Sequence, residues 1–100
     1  MVVIKINEIP AGGPSALKSR AERAWKITPE KIMGQTKAIV LYKGCILEEY
    51  EILNFQQDLE APNRIAFKFS EVPNSLFKGH RIDYPTGYPC TITDKLTIRV

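Results

Sequence analysis

Ala38-Ile-Val-Leu-Tyr-Lys-Gly-Cys-Ile-Leu-Glu-Glu-Tyr-Glu-Ile-Leu53 reads as two strands and the turn between them, and the rest of the chain is organised around this hairpin. Residues 38–42 are continuously apolar, the pattern of a strand buried on both faces. Lys43-Gly44 makes the turn. From Cys45 to Leu53, alternation sends Ile46, Tyr50 and Ile52 to one face and Glu49 and Glu51 to the other. So short a link predicts an antiparallel pair.

Upstream of the hairpin, Thr28-Pro29-Glu30 is a helix start. The hydroxyl can accept from free N–H groups, proline fits the first helical position, and the acid suits the dipole. Gly34 offers a left-handed stop, so the helix spans about 29–33, with Ile32 and Met33 anchoring it on the core. Residues 15–23 read as a short helix or an ordered loop, with Ser15 as its cap and Leu17 and Ala21 as a thin apolar face. Pro10-Ala-Gly-Gly-Pro14 breaks the chain before it. Val2, Ile4 and Ile6 alternate with Val3 and Lys5 in a first strand.

Downstream, residues 54–63 read as a connecting loop, and Arg64-Ile-Ala-Phe-Lys-Phe69 as a strand with Ile65, Phe67 and Phe69 inward. Val72 to Phe77 forms one helical turn ended by Gly79, and His80 to Tyr84 a short edge strand. Pro85-Thr-Gly-Tyr-Pro89 is a loop, because two prolines do not fit a central strand. Leu96, Ile98 and Val100 close the sheet. The expected fold is a single α+β domain over residues 1–100: five to six strands with short helices, in a strongly bent, mainly antiparallel sheet or an open barrel.

The composition, 44% apolar and 25% charged, is that of an ordered globular chain. The net charge of +3 is unevenly spread. Residues 1–37 carry +4, residues 38–61 carry −4 and residues 62–100 carry +3. An anionic partner and solvated strand faces both produce such a pattern. Cys45 and Cys90 are too few for a disulfide framework and lack CxxC spacing. The opening residues have no signal-peptide layout, and no run approaches a membrane span. A cytoplasmic protein with no membrane partner is expected.

Arg23-Ala-Trp25 with Thr28-Pro-Glu30, Ala38-Ile-Val-Leu-Tyr-Lys-Gly44, Glu49-Tyr-Glu-Ile52, Arg64-Ile-Ala-Phe67, Phe77-Lys-Gly79 and Thr97-Ile-Arg-Val100 follow the first strand in order. In this the chain resembles, over nearly its whole length, the PUA/EVE-like accessory domain found in some bacterial GIY-YIG-type nuclease proteins and in related stand-alone small proteins. The resemblance implies a curved barrel whose pocket, near the first helix, accepts nucleic acid or a modified base. No GIY-YIG segment is present, so nuclease activity has no residues to carry it.

The chemistry-bearing residues are few. Arg20 and Arg23 flank Trp25, the sole tryptophan, so guanidinium groups can grip a phosphate beside an indole that stacks a base. Surface arginines paired with local acids, and a core tryptophan pinning the helix to the sheet, fit the same residues. Tyr84 and Tyr88 make an aromatic loop that binds bases and proteins equally well. His80 and Arg81 are further ligand candidates, and an ordinary part-exposed histidine is the plainer reading. Glu48, Glu49 and Glu51 read as a solvated strand face that discourages edge pairing. No nucleophile–base pair, metal spacing or phosphate loop is visible, so neither catalysis, metal nor cofactor is expected.

The leading expectation is a non-enzymatic module recognising a nucleotide or nucleic acid through Arg20, Arg23, Trp25, Tyr88, Arg81 and His80. A second is a stand-alone sponge that sequesters a nucleotide signal, as phage counter-defence proteins do. Pockets of that kind form between protomers, so a homo-oligomer goes with it. A third is a protein–protein inhibitor or adaptor using the acidic hairpin face.

Overall fold

Ala38, Ile39, Val40 and Leu41 are each exposed by 2% or less. Their side chains alternate between two clusters: Ala38 and Val40 join Val2, Ile4, Tyr50 and Phe69, while Ile39 and Leu41 join Val3, Ile46 and Ile82. Such burial requires a strand inside a sheet covered on both faces, as the unbroken apolar run predicts.

A computed structural model of the chain describes residues 1–94, 96, 98 and 99. Its elements are β1 (Val2–Lys5), α1 (Gly13–Glu22), α2 (Pro29–Ile32), β2 (Lys37–Tyr42), β3 (Cys45–Gln57), β4 (Ile65–Glu71), β5 (Arg81–Ile82), β6 (Cys90–Ile92) and β7 (Ile98–Arg99). The fold is α+β, with two short helices and one mixed sheet ordered β6-β1-β2-β3-β5-β7, β4 pairing with β3. β1 and β2 run parallel, and the other pairings between named strands are antiparallel. β6 and β7 stand at the two ends of the path, with no pairing between them among the described residues. The expected closing strand is present at Ile98–Arg99, whereas Thr97 and Val100 lie outside the described residues.

The hairpin forms as expected, its turn taking positive φ at Lys43 (49°) and Gly44 (80°). β3 then departs from simple alternation. Val40 pairs with Glu48 but Leu41 with Ile46, so Leu47 is an extra residue, and a second register shift follows between Ile52 and Asn54. A bulge reverses the faces of everything beyond it. Ile46 and Tyr50, expected on one face, therefore enter opposite clusters. β3 also continues through residues 54–57, where a loop was expected, because β4 supplies backbone partners from Lys68 to Ile65. Polar side chains are tolerated there, and Phe55 still packs against the core.

The acidic strand face is likewise corrected. Glu48 and Glu49 are buried, and Glu51 alone of the three is exposed. Glu49 accepts from the Ser75 hydroxyl, Glu48 pairs with Lys78 at 3.1 Å, and Glu51 lies 3.7 Å from Lys37. The covering segment, residues 72–79, is a series of turns instead of the expected helical turn. Ser75 Oγ takes the N–H groups of Phe77 and Lys78 at 3.1 and 3.2 Å, a local bond that competes with helix formation.

The ambiguous stretch before Trp25 is a ten-residue helix, entered at Gly12 (φ 114°) and not capped by Ser15. Leu17 and Ala21 bury against the core as expected. Ile32 does so from α2, but Met33 is 69% exposed because the helix ends before it and Gly34 (φ 85°) turns the chain away. β5 lies between β3 and β7 and is no edge. β6 forms directly after the proline loop, with Lys5 N–H donating to Pro89 O at 2.7 Å to extend the ladder. Among the described residues no helix is long and apolar enough to cross a membrane.

Candidate functional site

After α1 the chain meets the edge of β4, where Trp25 and Ile65 exchange both backbone hydrogen bonds at 2.9 Å. This fixes the indole over the core at 3% exposure, its Nε1 donating to Ala21 O at 2.7 Å. The Arg20 guanidinium sits 4.5 Å from the ring centroid and donates to Arg23 O at 2.9 Å. A ring covered by the core on one side and by arginine on the other presents no free face to a base. Of the two readings of Trp25, the packing one describes its position.

Arg23 is also committed. Its Nε and Nη2 grip both oxygens of buried Asp58 at 2.8 and 2.7 Å, and Nη1 reaches Glu60 at 3.2 Å. Asp58 further accepts the backbone N–H groups of Glu60 and Ala61 at 2.9 and 3.0 Å. The Arg23 hydrogen bonds, aided by those backbone donors, hold the Asp58 carboxyl well below the usual carboxylate range, and Asp58 in turn raises the Arg23 guanidinium. A fork of this geometry ties the 58–61 loop to the end of α1. Arg20, Arg23 and Trp25 are thus brought together, as neighbours in a structural cluster.

His80 and Arg81 lie elsewhere, beside the hairpin turn. The Arg81 Nη2 donates to Lys43 O at 3.0 Å, and the His80 carbonyl accepts Ile46 N–H at 2.9 Å. Both side chains are exposed, and neither lines the clefts described next. No group of three metal-ligating side chains is found among the described residues.

A cleft of about 900 Å³ lies between the segment leading into α2 and the loop preceding β6. One wall carries Lys26, Thr28 and Lys31, and the other Tyr84 and Tyr88. Both lysines are exposed and make no ion pair among the described residues. Tyr84 is held in place by its hydroxyl, 3.0 Å from Thr91 Oγ1. Tyr88 is 74% exposed, its ring available on the loop that two prolines stiffen. Cys90 also lines the cleft, and burial pushes its thiol up to about 12, so it is neutral at ordinary pH. The arrangement offers an aromatic face for a flat, uncharged ring and two ammonium groups for an anion attached to it.

Of the six residues expected to bind the ligand, Tyr88 alone lines this cleft, joined by Tyr84 of the same aromatic loop. Lys26, Lys31 and Asn63 were not legible as partners, because their placement depends on a turn and a loop meeting across the fold. The only sequence signal was two lysines bracketing the Thr28-Pro29 helix start. Comparison with protein-family models, with curated proteins and with solved structures found no match.

Proposed function

We propose that the chain is a non-enzymatic binding domain that takes a nucleotide or nucleic acid in the cleft between Lys26–Lys31 and Tyr84–Tyr88. The observation that carries this reading is the meeting of two lysines, without an ion pair among the described residues, and an exposed tyrosine ring across a concavity of about 900 Å³. Ammonium groups serve phosphate as point charges, and base–aromatic stacking adds about 1–3 kcal/mol per base. The cleft's volume lies in the range of small-molecule sites.

A PUA-like open barrel is the fold reading that accompanies this function. It is supported by the two bulges that bend β3 and by the position of the cleft beside a short helix. A cytoplasmic setting belongs to the same reading, with Cys45 and Cys90 both free thiols. The adaptor reading would use the acidic hairpin face, on which Glu51 is exposed while Glu48 and Glu49 are buried.

Titration with nucleoside monophosphates and with a short mixed-sequence oligonucleotide at 20–50 mM salt tests the proposal. Saturable binding is expected, weakened when Lys26 and Lys31 are both changed to alanine. Absence of binding to either class at low salt refutes it. Mass spectrometry of small molecules released on denaturation checks whether a nucleotide travels with the purified protein.

A further inference from the structure

The cleft just described does not end at its own walls. It shares Ile27, Thr28 and Asn63 with a neighbouring cleft of about 460 Å³. That second cleft shares Arg64 with a notch of about 380 Å³ bordered by Lys5, Arg20 and the edge of Trp25. Shared wall residues place the three side by side, a stepped groove past the outer end of β4 in which Arg64 stands between the second and third parts.

The notch is strongly cationic. Lys5 Nζ donates to Thr86 O at 3.1 Å, Arg20 Nη1 to Arg23 O at 2.9 Å and Arg64 Nη1 to Ala24 O at 3.3 Å. Each of these bonds goes to a backbone carbonyl, which orients the side chain without neutralising it. No carboxylate pairs with any of the three among the described residues, and Glu8 is the acid on the notch wall. Three like charges held in one concavity oppose each other unless an anion joins them. With Lys26 and Lys31 at the far end, five cations follow the groove, and between them lie the amides of Gln56 and Asn63.

A mononucleotide fills one cleft and leaves the notch charges unused. A ligand with regularly repeated phosphates engages both ends. Its bases must also be unpaired, because the ring of Tyr88 can stack only on a base whose face is free. Resting on the tyrosine-cleft reading and naming its ligand class, we infer that the groove binds a single-stranded nucleic acid several nucleotides long. One base stacks on Tyr88, and the backbone passes Arg64 to reach the Lys5–Arg20–Arg64 notch.

The test compares a nucleoside monophosphate with ribo- and deoxyribo-oligonucleotides of two, four and eight residues, and with an eight-base-pair duplex, at 50 mM salt. Wild type is set against Lys5→Gln/Arg64→Gln, two exposed or part-exposed positions, with Arg20 retained because it packs on Trp25. Expected is at least a tenfold gain in affinity from the monophosphate to the four-residue strand, with the duplex weaker than the eight-residue strand. The double variant brings the strand-to-monophosphate ratio towards one. It also flattens the salt dependence of strand binding by about 1.4 units of slope in log K against log salt, since two phosphate contacts are lost. Equal affinity for monophosphate and strands, tighter duplex binding, or a length gain that survives in the double variant overturns the inference. If the monophosphate binds in those cases, the tyrosine-cleft reading stands without it. If nothing binds, both fall.

Discussion

Replacing Tyr88 by alanine separates a ring that holds a ligand from one that holds the fold. The side chain is 74% exposed, and its hydroxyl has no hydrogen-bond partner among the described residues. Truncation should therefore change stability by less than about 0.5 kcal/mol, the usual range for surface positions. If a base stacks on it, binding loses about 1–3 kcal/mol, which raises Kd by about 5- to 150-fold. The matched control is Trp25→Phe. The indole is 3% exposed and its N–H is bonded to Ala21 O, so this change removes a buried hydrogen bond and costs about 1–3 kcal/mol of stability. In a domain of this size that is a fall in Tm of roughly 4–8 °C per kcal/mol. Fluorescence anisotropy of a labelled four-residue strand, read well below both melting points, gives the affinities, and thermal melting gives the stabilities. The opposite pattern, with Tyr88→Ala binding normally and Trp25→Phe binding weakly, would place the stack on the indole and refute the reasoning.

Asp58 predicts the acid limb of stability. Its folded value lies well below the unfolded one of about 3.9, chiefly through the Arg23 hydrogen bonds, so between the two the unfolded chain binds more protons. The stabilisation is present above about pH 4 and is lost as pH falls from there towards the folded value. Asp58→Asn should be less stable at pH 7 and show a flatter decline between pH 4 and 2, measured by urea midpoints; parallel curves would contradict this. The two cysteines should differ in reactivity. With its thiol pushed up to about 12 by burial, Cys90 should resist iodoacetamide at pH 8 while half-buried Cys45 is modified, both reacting in denaturant. Peptide mapping by mass spectrometry reads the result, and prompt native alkylation of Cys90 would contradict its placement.

The β2–β3 hairpin, the inward phenylalanines of β4 and the helix start at Thr28-Pro29 were legible because each depends on local pattern: an unbroken apolar run, strict alternation, a proline at the first helical position. The Thr28 hydroxyl, expected as the cap, makes no capping hydrogen bond. The bulges in β3 were not. Nothing in Ile46-Leu-Glu48 states that β2 will match it with one residue fewer, so Ile46 and Tyr50 were assigned to one face. The extension of β3 through residues 54–57 was hidden for a related reason, since polar residues join a strand when a long-range partner takes their backbone. β6 was missed because its pairing with β1 spans almost the entire chain. At the site, the sequence neighbours Arg20 and Trp25 do meet, with the guanidinium on the indole, whereas the Arg23 guanidinium turns to the 58–60 segment. Its use was set by Asp58, 35 residues away from Arg23, which turns a potential anion grip into a structural clamp. Lys26, Lys31 and Tyr88 meet only through the fold.

Chemical-shift mapping of the amide spectrum during titration with a four-residue strand addresses the central claim most directly. The account predicts that the largest changes fall on residues 26–31, 63–64 and 84–92, with smaller ones at Lys5 and Arg20. Changes confined to the hairpin turn around Lys43, His80 and Arg81, or an unchanged spectrum, would contradict it.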